Sequence, residues 1–461
     1  MPTVTVAVLT CNRRALLEET LRGVLAQTWT DYELLVCDNA STDDTATLVA
    51  SISDPRLVYV RRSVNGGAFA NFREAVGRAK GDFVLVLHDD DVPDPRMLER
   101  QMAIFTTHPE VVLVGTNVRL IDYQGKVTQE RIHPPGDRHF QVGDVLKAWL
   151  EEGFWFPCPT FMIRRSIRRG RRNNLLVFSR NSKNHALFEG LAGDIYSACI
   201  LNAFGDAVCI GDPLLSYRQH HAQASLQDDP TRCEVERYKG FVHLCRTKKP
   251  LAHYLPRVEM ALLHYRTQEL ILASQEPLGR QPRLTAQLRA MEARHMAHTP
   301  PLPDQAHFLQ FLLLMKLLGE EPRMLLTPVS RAWLKAPTDQ HMTAFRRWYA
   351  RLALQGAPAT RALSGRVYIL GSLINAFLLA LDCQRSGLQV LGFLDSNPFR
   401  AGRTLGGIPI LPITEAPRAA REAEGLLISS EKRTEESMRS YLREFLPEEA
   451  VARCRSWRSI L

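Results

Sequence analysis

The sequence predicts an α/β protein, and three observations predict it. β-forming runs alternate with helical spacings through residues 4–91. The fourth such run, Phe83 to Leu87, is uncharged and leads into Asp89, Asp90 and Asp91. Strand–helix alternation then returns at residues 366–430. Alternation of this kind specifies a mainly parallel sheet covered by helices. A chain of 461 residues can bury two or three cores.

Val4 to Leu9 is the first strand, and Thr10-Cys11-Asn12-Arg13 is the turn after it. Leu16, Leu17, Thr20, Leu21, Val24 and Leu25 recur at helical spacing, so residues 14–27 form an amphipathic helix. Asp31 to Cys37 is the second strand. In the polar stretch Asp38 to Thr45, Ser41 or Thr42 suits the cap of the next helix, and Asp43 and Asp44 suit its first turn. Leu57 to Val60 is the third strand, and Asn65-Gly66-Gly67 is a turn whose glycines allow positive φ or close backbone approach. Residues 68–79 are a helix leading into Phe83–Leu87. The polar ends of the first, second and fourth strands should converge on one crevice, where open α/β sheets bind ligands.

Asp89, Asp90 and Asp91 put like charges side by side, and such carboxylates take up protons unless a cation compensates them. Hard oxygen ligands suit Mg²⁺ or Mn²⁺, and a short protein ligand set leaves room for a diphosphate. A solvated acidic turn before Pro93 and Pro95 is the plainer reading of the same tripeptide.

Taken in order, Thr10-Cys11-Asn12-Arg13, Gln27-Thr28-Trp29, Val36 to Thr45, Asn65-Gly66-Gly67, Ala79-Lys80-Gly81-Asp82 and Asp89-Asp90-Asp91 resemble the family 2 glycosyltransferases of the GT-A fold. The match covers about the first quarter of the chain. The resemblance implies inverting transfer from a nucleotide-sugar, a UDP-sugar foremost, with dTDP and GDP donors left open. It implies that Thr10 and Asp38 contact the base, that Asp89 contacts the ribose, and that Asn12, Arg13, Asn65, Gly67 and Arg73 line the donor. It makes Asp90, with Asp91, the metal ligand of a D-x-D-type motif for Mn²⁺ or Mg²⁺. The segment Glu189 to Asp194, followed by Tyr217-Arg218-Gln219-His220, looks like the second half of the family's chemistry. There Asp194 would be the base, and His220 a further metal ligand or phosphate contact. Two departures stand out. His88 replaces a usual Asp and leaves open whether it or Asp89 meets the ribose, and Gly193 stands where the family has Glu. Plainer roles exist too: Asp38 as a capping aspartate, Thr10 as a turn hydroxyl, Arg73 as a solvated helical arginine, His220 as a structural histidine.

Val111–Val114 and Asn117–Asp122 read as strands, with a hairpin turn at residues 123–126. Phe154 to Thr160 is an aromatic loop before a strand at Phe161–Ile163; its Trp155 either stacks on an acceptor sugar or plugs the core. Arg164, Arg165, Arg168, Arg169, Arg171 and Arg172 form a basic run suited to a lipid diphosphate, an acidic glycan or an anionic membrane face, or else a solvated surface. Residues 226–362 read as helices without a catalytic constellation, and Phe308, Phe311, Leu312, Met315, Leu317 and Leu318 as core or interface. Beyond them, Arg366–Leu370, the helix opened by Gly371 to Asn375, and Leu388–Leu394 followed by Asp395 resemble the Rossmann-like domains of polysaccharide-biosynthesis enzymes. The dinucleotide fingerprint is reduced to one glycine, and Asp395 before Asn397-Pro398 reads as a turn residue. The expected domains are therefore a GT-A domain at 1–225, a helical middle region at 226–362 and a Rossmann-like domain at 363–461.

The composition, 45% hydrophobic and 23% charged, is that of an ordinary soluble protein, and the net charge of +9 favours an anionic partner. Nine scattered cysteines without a Cys-x-x-Cys pair exclude a disulfide framework or zinc ribbon. The start lacks a basic and then apolar leader, and the longest apolar stretch, Tyr368 to Cys383, ends in Asp382-Cys383 and is too polar to span a bilayer. The expectation is a cytoplasmic protein, at most peripheral at the inner membrane face, with no nucleic-acid motif and with homo-oligomerisation left open. Two rivals are weighed. One is a nucleotide-sugar-binding or assembly protein that has lost turnover, which Gly193 motivates. The other, a nucleotidyltransferase, needs a Gly-rich basic loop that Thr10-Cys11-Asn12-Arg13 does not supply.

Overall fold

The computed structural model describes residues 3–169, 172–175, 193–219, 230–274, 276–278, 280–296, 305–320, 347–349, 351–352, 358, 360, 363–371, 373–398, 400–429 and 435–460. The chain divides into two compact units, Met1–Asp228 with His243–His253, and Asp229–Val242 with Tyr254–Leu461.

The first unit is built on one mixed sheet. Its elements, in order, are β1 (Val4–Thr10), α1 (Arg14–Leu25), β2 (Tyr32–Asp38), α2 (Thr45–Ala50), β3 (Leu57–Arg61), α3 (Gly67–Arg78), β4 (Phe83–His88), β5 (Val92–Pro93), α4 (Met97–Thr107) and β6 (Val111–Ile121). They continue with β7 (Val127–Gln129), β8 (Arg138–Phe140), α5 (Asp144–Glu152), β9 (Met162–Arg164), the hairpin β10 (Ser166–Arg169) and β11 (Arg172–Leu175), the helix Gly193–Asn202, and β12 (Asp206–Arg218). The sheet runs β3-β2-β1-β4-β9-β6-β12-β5, with β7 on β6 and β8 on β12. The pairs among β1 to β4 are parallel, as the alternation predicts. β9 runs antiparallel between β4 and β6.

Hydrophobic periodicity decides which faces are covered. Val4, Val6 and Val8 of β1, Leu34 and Val36 of β2, and Leu85 and Leu87 of β4 share one core with Leu17, Leu21 and Val24 of α1. Gly81 permits the entry of β4 beside β1, because a Cβ there would lie 2.5 Å from the Thr5 backbone nitrogen. β6 is one strand where the sequence suggests two. Thr116 and Asn117 stay within it because Asn117 is buried and its amide serves the carbonyls of His133 and Gly211.

The expected cap of α2 is also different. Ser41 accepts a hydrogen bond from the Asn12 backbone and Thr42 donates to the Asn12 side chain, so neither caps the helix. Asp44 takes the N-cap position without a side-chain cap, and Asp43 accepts from the Thr45 backbone at 3.1 Å and, through its other oxygen, from the Arg14 backbone at 3.0 Å. One carboxylate thus serves donors at the starts of two helices.

In the second unit, β13 (Arg366–Leu370), β14 (Gln389–Asp395), β15 (Thr404–Leu405), β16 (Ile408–Pro412), β17 (Gly425–Ile428) and β18 (Arg455–Ser456) form a sheet of order β15-β16-β14-β13-β17-β18. All its pairs except β15–β16 are parallel, a doubly wound arrangement. Val367 and Ile369 enter one core while Tyr368 and Leu370 enter another on the opposite face. Where the sequence separates a middle region at 226–362 from a domain at 363–461, Met260, Leu288, Phe311, Leu312, Met315 and Trp348 share the first of these cores with β13. Asp382, fully buried, holds the assembly together by accepting from Trp348 at 3.0 Å and from the Thr360 backbone at 2.8 Å. No helix among the described residues is long and apolar enough to cross a membrane.

Candidate active site

The crevice forms at the carboxyl ends of β1, β2, β3 and β4, and its loops are joined by side-chain hydrogen bonds. Asn39 donates to the Asn65 side chain at 2.7 Å and accepts from the Gly66 backbone at 3.0 Å. Asn65 accepts from the Gly67 backbone at 2.8 Å, and Gly67 takes φ +81°, a conformation that suits glycine. Asn12, at φ 55°, accepts from the Thr42 backbone at 2.7 Å, bridging the first loop to the second. Thr10, Asn12, Arg13, Asp38, Asn65 and Gly67 thus stand around one mouth. Arg73, on the exposed side of α3, lies 5.6 Å from the Phe69 ring centre.

Asp89, Asp90 and Asp91 are all buried. Burial raises the Asp89 carboxyl above its usual range; Arg13 and the Thr10 hydroxyl oppose the shift, while Asp90 adds to it. The Cys11 backbone N–H donates to Asp89 at 3.3 Å, and Arg13 Nη1 lies 3.2 Å from Asp89 and 2.8 Å from Asp90. Burial and then the Asp90 charge push Asp91 well up, against a hydrogen bond from the Arg218 backbone at 3.0 Å.

Arg218, at the end of β12, is the anchor that sequence reading passed over. Its Nε donates to the Asp90 carbonyl at 3.0 Å, its Nη1 to the Asp122 and Tyr123 carbonyls, and its Nη2 to Glu19. The buried guanidinium fixes the backbone of the acidic run against the hairpin after β6. The one signal for it was its place beside Tyr217 in the segment that ends at His220.

A divalent ion fits the residues present. His88, Asp90 and Asp91 each offer a ligand atom, all within 4.8 Å of one another, and Asp91 Oδ2 makes no hydrogen bond among the described residues. The two carboxylates are hard oxygen ligands for Mn²⁺ or Mg²⁺, and the imidazole beside them favours Mn²⁺ of the two. His88, rather than a ribose contact alone, is therefore beside the metal candidates, with Nδ1 3.8 Å from Asp91. A second group, Glu110, His139 and Asp206, lies at the opposite ends of β6 and β12 on the surface, where His139 pairs with Asp206 at 2.9 Å.

Asp38 has the turn-closing role. Its Oδ1 accepts from the Ser41 backbone at 2.8 Å, and Oδ2 accepts from the Tyr59 hydroxyl at 2.5 Å, with Arg61 3.5 Å away. The carboxylate is wholly buried.

Asp194 lies on the helix Gly193–Asn202, with its side chain outside the described residues, and His220 is outside them altogether. Trp155 is half-buried, and its carbonyl bonds His133 Nε2 at 2.8 Å. Arg164 and Arg165 leave the basic run's proposed outward face. Arg164 donates to the carbonyls of Val111 and Phe105 and packs over Phe83 and Phe105, and burial pulls its pKa down. Arg165 donates to the Ala79 and Lys80 carbonyls. These guanidiniums tie β9 and the residue after it to the neighbouring elements, because the carbonyls at the ends of α3 and α4 and at the start of β6 need donors. Arg168, Arg169 and Arg172 belong to the β10–β11 hairpin, with side chains outside the described residues, as is all of Arg171.

Residues 5–170 match the sequence model of the family described as Glycosyl transferase family 2. The chain carries a family 2 glycosyltransferase domain. Its sheet is GT-A-like, with the acidic run at the end of β4. This family 2 domain is similar to a putative glycosyltransferase, EpsE, of Bacillus subtilis, 32% identical over 137 residues that are 29% of this chain and 49% of that protein. It is similar also to a putative colanic acid biosynthesis glycosyl transferase, WcaA, of Escherichia coli, 28% identical over 130 residues, 27% of this chain and 45% of that one. The chain spans about half the length of these curated relatives. Among solved structures, S. aureus TarS 1–349 in complex with UDP-GlcNAc aligns over 77% of this chain and 92% of that one, at 16% identity and a TM-score of 0.44.

Proposed function

We propose that the protein is an inverting, divalent-metal-dependent glycosyltransferase that takes a sugar from a nucleotide-sugar, a UDP-sugar foremost, and delivers it to a growing glycan or lipid-linked saccharide. The observation that carries this reading is the convergence of the loops after β1, β2 and β3 on the β4 carboxylates, with His88, Asp90 and Asp91 within ligand reach of one another. The family 2 domain and the relatives in glycosyl transfer, one of them in colanic acid biosynthesis, support it.

Asp90 and Asp91, with His88 beside them, would hold Mn²⁺ or Mg²⁺, and His220, two residues beyond β12 in the sequence, would be a further ligand or phosphate contact. A divalent ion bound there stabilises the diphosphate of the leaving nucleotide. Asp89 meets the ribose. Thr10, Asn12, Arg13, Asn65 and Gly67 frame the nucleotide, and Arg73 reaches its phosphates from α3. Asp38 reads the base through a second lone pair once Tyr59 has moved. Asp194 takes the proton of the acceptor hydroxyl as its oxygen attacks the anomeric carbon opposite the leaving diphosphate, which inverts the configuration. Arg168, Arg169, Arg171 and Arg172 are the part of the basic run left for an anionic acceptor or the inner membrane face.

Calorimetric titration of UDP, dTDP and GDP, with and without Mn²⁺, tests the site. One nucleotide should bind tightly only with metal, and Asp90→Asn should abolish that dependence. Asp194→Asn should leave donor binding intact and slow transfer by roughly 10²–10⁴-fold. Metal-independent or absent binding of all three nucleotides in the parent protein would favour a scaffold that no longer turns over.

A further inference from the structure

Among the described residues, Arg218 and Arg13 both reach the acidic run, and they are held in different ways. Arg218 is buried and wired to the carbonyls of Asp90, Asp122 and Tyr123 and to Glu19. Arg13 stands on the loop after β1, with its side chain 27% exposed, and reaches Asp89 and Asp90 through Nη1. Its backbone occupies the N-cap position of α1, where Ser, Thr, Asp or Asn is preferred, and it makes no side-chain cap. The helix start is served from outside by Asp43, so the Arg13 side chain is turned to the carboxylates. Asn12, in the left-handed region, sets the turn that delivers it.

Position and charge therefore make Arg13 a counter-ion for the carboxylate that the donor-site reading gives to the metal. Asp90 cannot give the same oxygen fully to both. We propose that Arg13 is an exchangeable placeholder: it neutralises Asp89 and Asp90 while the site is empty, and it transfers to the donor's diphosphate when the nucleotide arrives, leaving Asp90 to the divalent ion. This inference rests on the donor-site reading and adds its order of events. Metal alone meets a competing cation; metal with nucleotide does not. Nucleotide and metal then bind with positive coupling, and coupling of this kind is reciprocal. A guanidinium is suited to the exchange because its planar fork matches carboxylate and phosphate alike.

The test is Mn²⁺ binding, read by electron paramagnetic resonance without nucleotide, and UDP binding, read by calorimetry with and without Mn²⁺. Both are made on the full chain and on Arg13→Gln, Arg13→Lys and Asp90→Asn. Arg13→Gln should bind free Mn²⁺ about tenfold more tightly than the parent, and UDP in the presence of Mn²⁺ about tenfold more weakly, the scale of ordinary site-to-site coupling. Arg13→Lys, which keeps the charge but loses the fork, should fall between them. A residue that only shaped the loop would weaken both ligands together, and that result overturns the proposal. Unchanged free-metal affinity in Arg13→Gln and Arg13→Lys, with Mn²⁺-dependent UDP binding intact in the parent, removes the placeholder alone. Absence of Mn²⁺-dependent UDP binding in the parent removes the donor-site reading and the placeholder with it. Thermal melting accompanies each variant, and if Arg13→Gln is poorly folded the Arg13→Lys comparison decides.

Discussion

At the carboxyl end of β4 stand Asp89, Asp90 and Asp91; at the carboxyl end of β14 stands Asp395. All four acids sit where parallel sheets bind ligands, and all four are buried. Asp395, however, is closed within its own turn. Its Oδ1 accepts from the Asn397 backbone at 2.7 Å, and its Oδ2 pairs with Arg400 at 3.3 Å. The crevice between β13 and β17, where the strand order reverses, is also filled. The Ser429 hydroxyl donates to the Leu370 carbonyl at 2.6 Å, and a Cβ on Gly371, at φ +101°, would lie 2.6 Å from that hydroxyl. In the first sheet, by contrast, the carboxyls of Asp89 and Asp91 are held above their usual range because the charges around them do not balance their burial. An acid at a strand end becomes a site when the fold leaves it under-compensated.

The largest way to break this comparison is to remove the permanent cation from the first sheet. Arg218→Met should destabilise the first unit by about 3–5 kcal/mol, because it leaves the carbonyls of Asp90, Asp122 and Tyr123 without their donor and removes the positive charge near buried Asp91. Chemical denaturation measures this. A loss of under about 1 kcal/mol, the scale of an exposed pair, would show that Arg218 is not the anchor.

A smaller effect belongs to the second sheet. Asp395→Asn keeps the turn acceptor while weakening the Arg400 pair, so the second unit should lose about 1–3 kcal/mol. Nucleotide affinity should stay at the parent value. Weakened UDP, dTDP or GDP binding in Asp395→Asn would mean that this strand end is a working site after all.

What the residues disclosed follows the same division. The parallel strands β1 to β4 were legible because their alternation and polar ends are local signals, and so was the reading of Asp395 as a turn residue, since Asn397-Pro398 follows it directly. The expected convergence of the strand ends is met by Asn39, Asn65 and Asn12 bonding across loops. Arg218 was hidden because its partners are backbone carbonyls far along the chain, at Asp90, Asp122 and Tyr123. Arg164 and Arg165 misled for a related reason: a run of arginines looks solvated unless the carbonyls that receive them are known. Tyr59 gave no signal either, since its hydroxyl meets Asp38 only when β3 lies beside β2. The shared core of the helices with the second sheet depends on contacts such as Trp348 with Asp382, which no periodicity records.

The smallest expected effect lies on the aromatic loop that flanks the first sheet. His133 packs 4.4 Å from the Phe154 ring, and its Nε2 bonds the Trp155 carbonyl at 2.8 Å. Burial lowers its pKa below the usual 6.5, partly offset by the Trp155 carbonyl, while Arg138 adds to the lowering. The unfolded chain therefore takes up this proton before the folded one does. Stability from this group is present above pH 6.5 and is lost as pH falls through that value toward the depressed folded one. His133→Gln can still donate to the Trp155 carbonyl but does not titrate, so its melting temperature should fall less than the parent's on acidification from pH 7.5 to 5.5. Equal slopes in the two proteins would mean that the imidazole is as easily protonated in the fold as outside it. In that case the aromatic loop leaves His133 in contact with water, and its apolar cover is not what sets it apart from the polar mouth at β4.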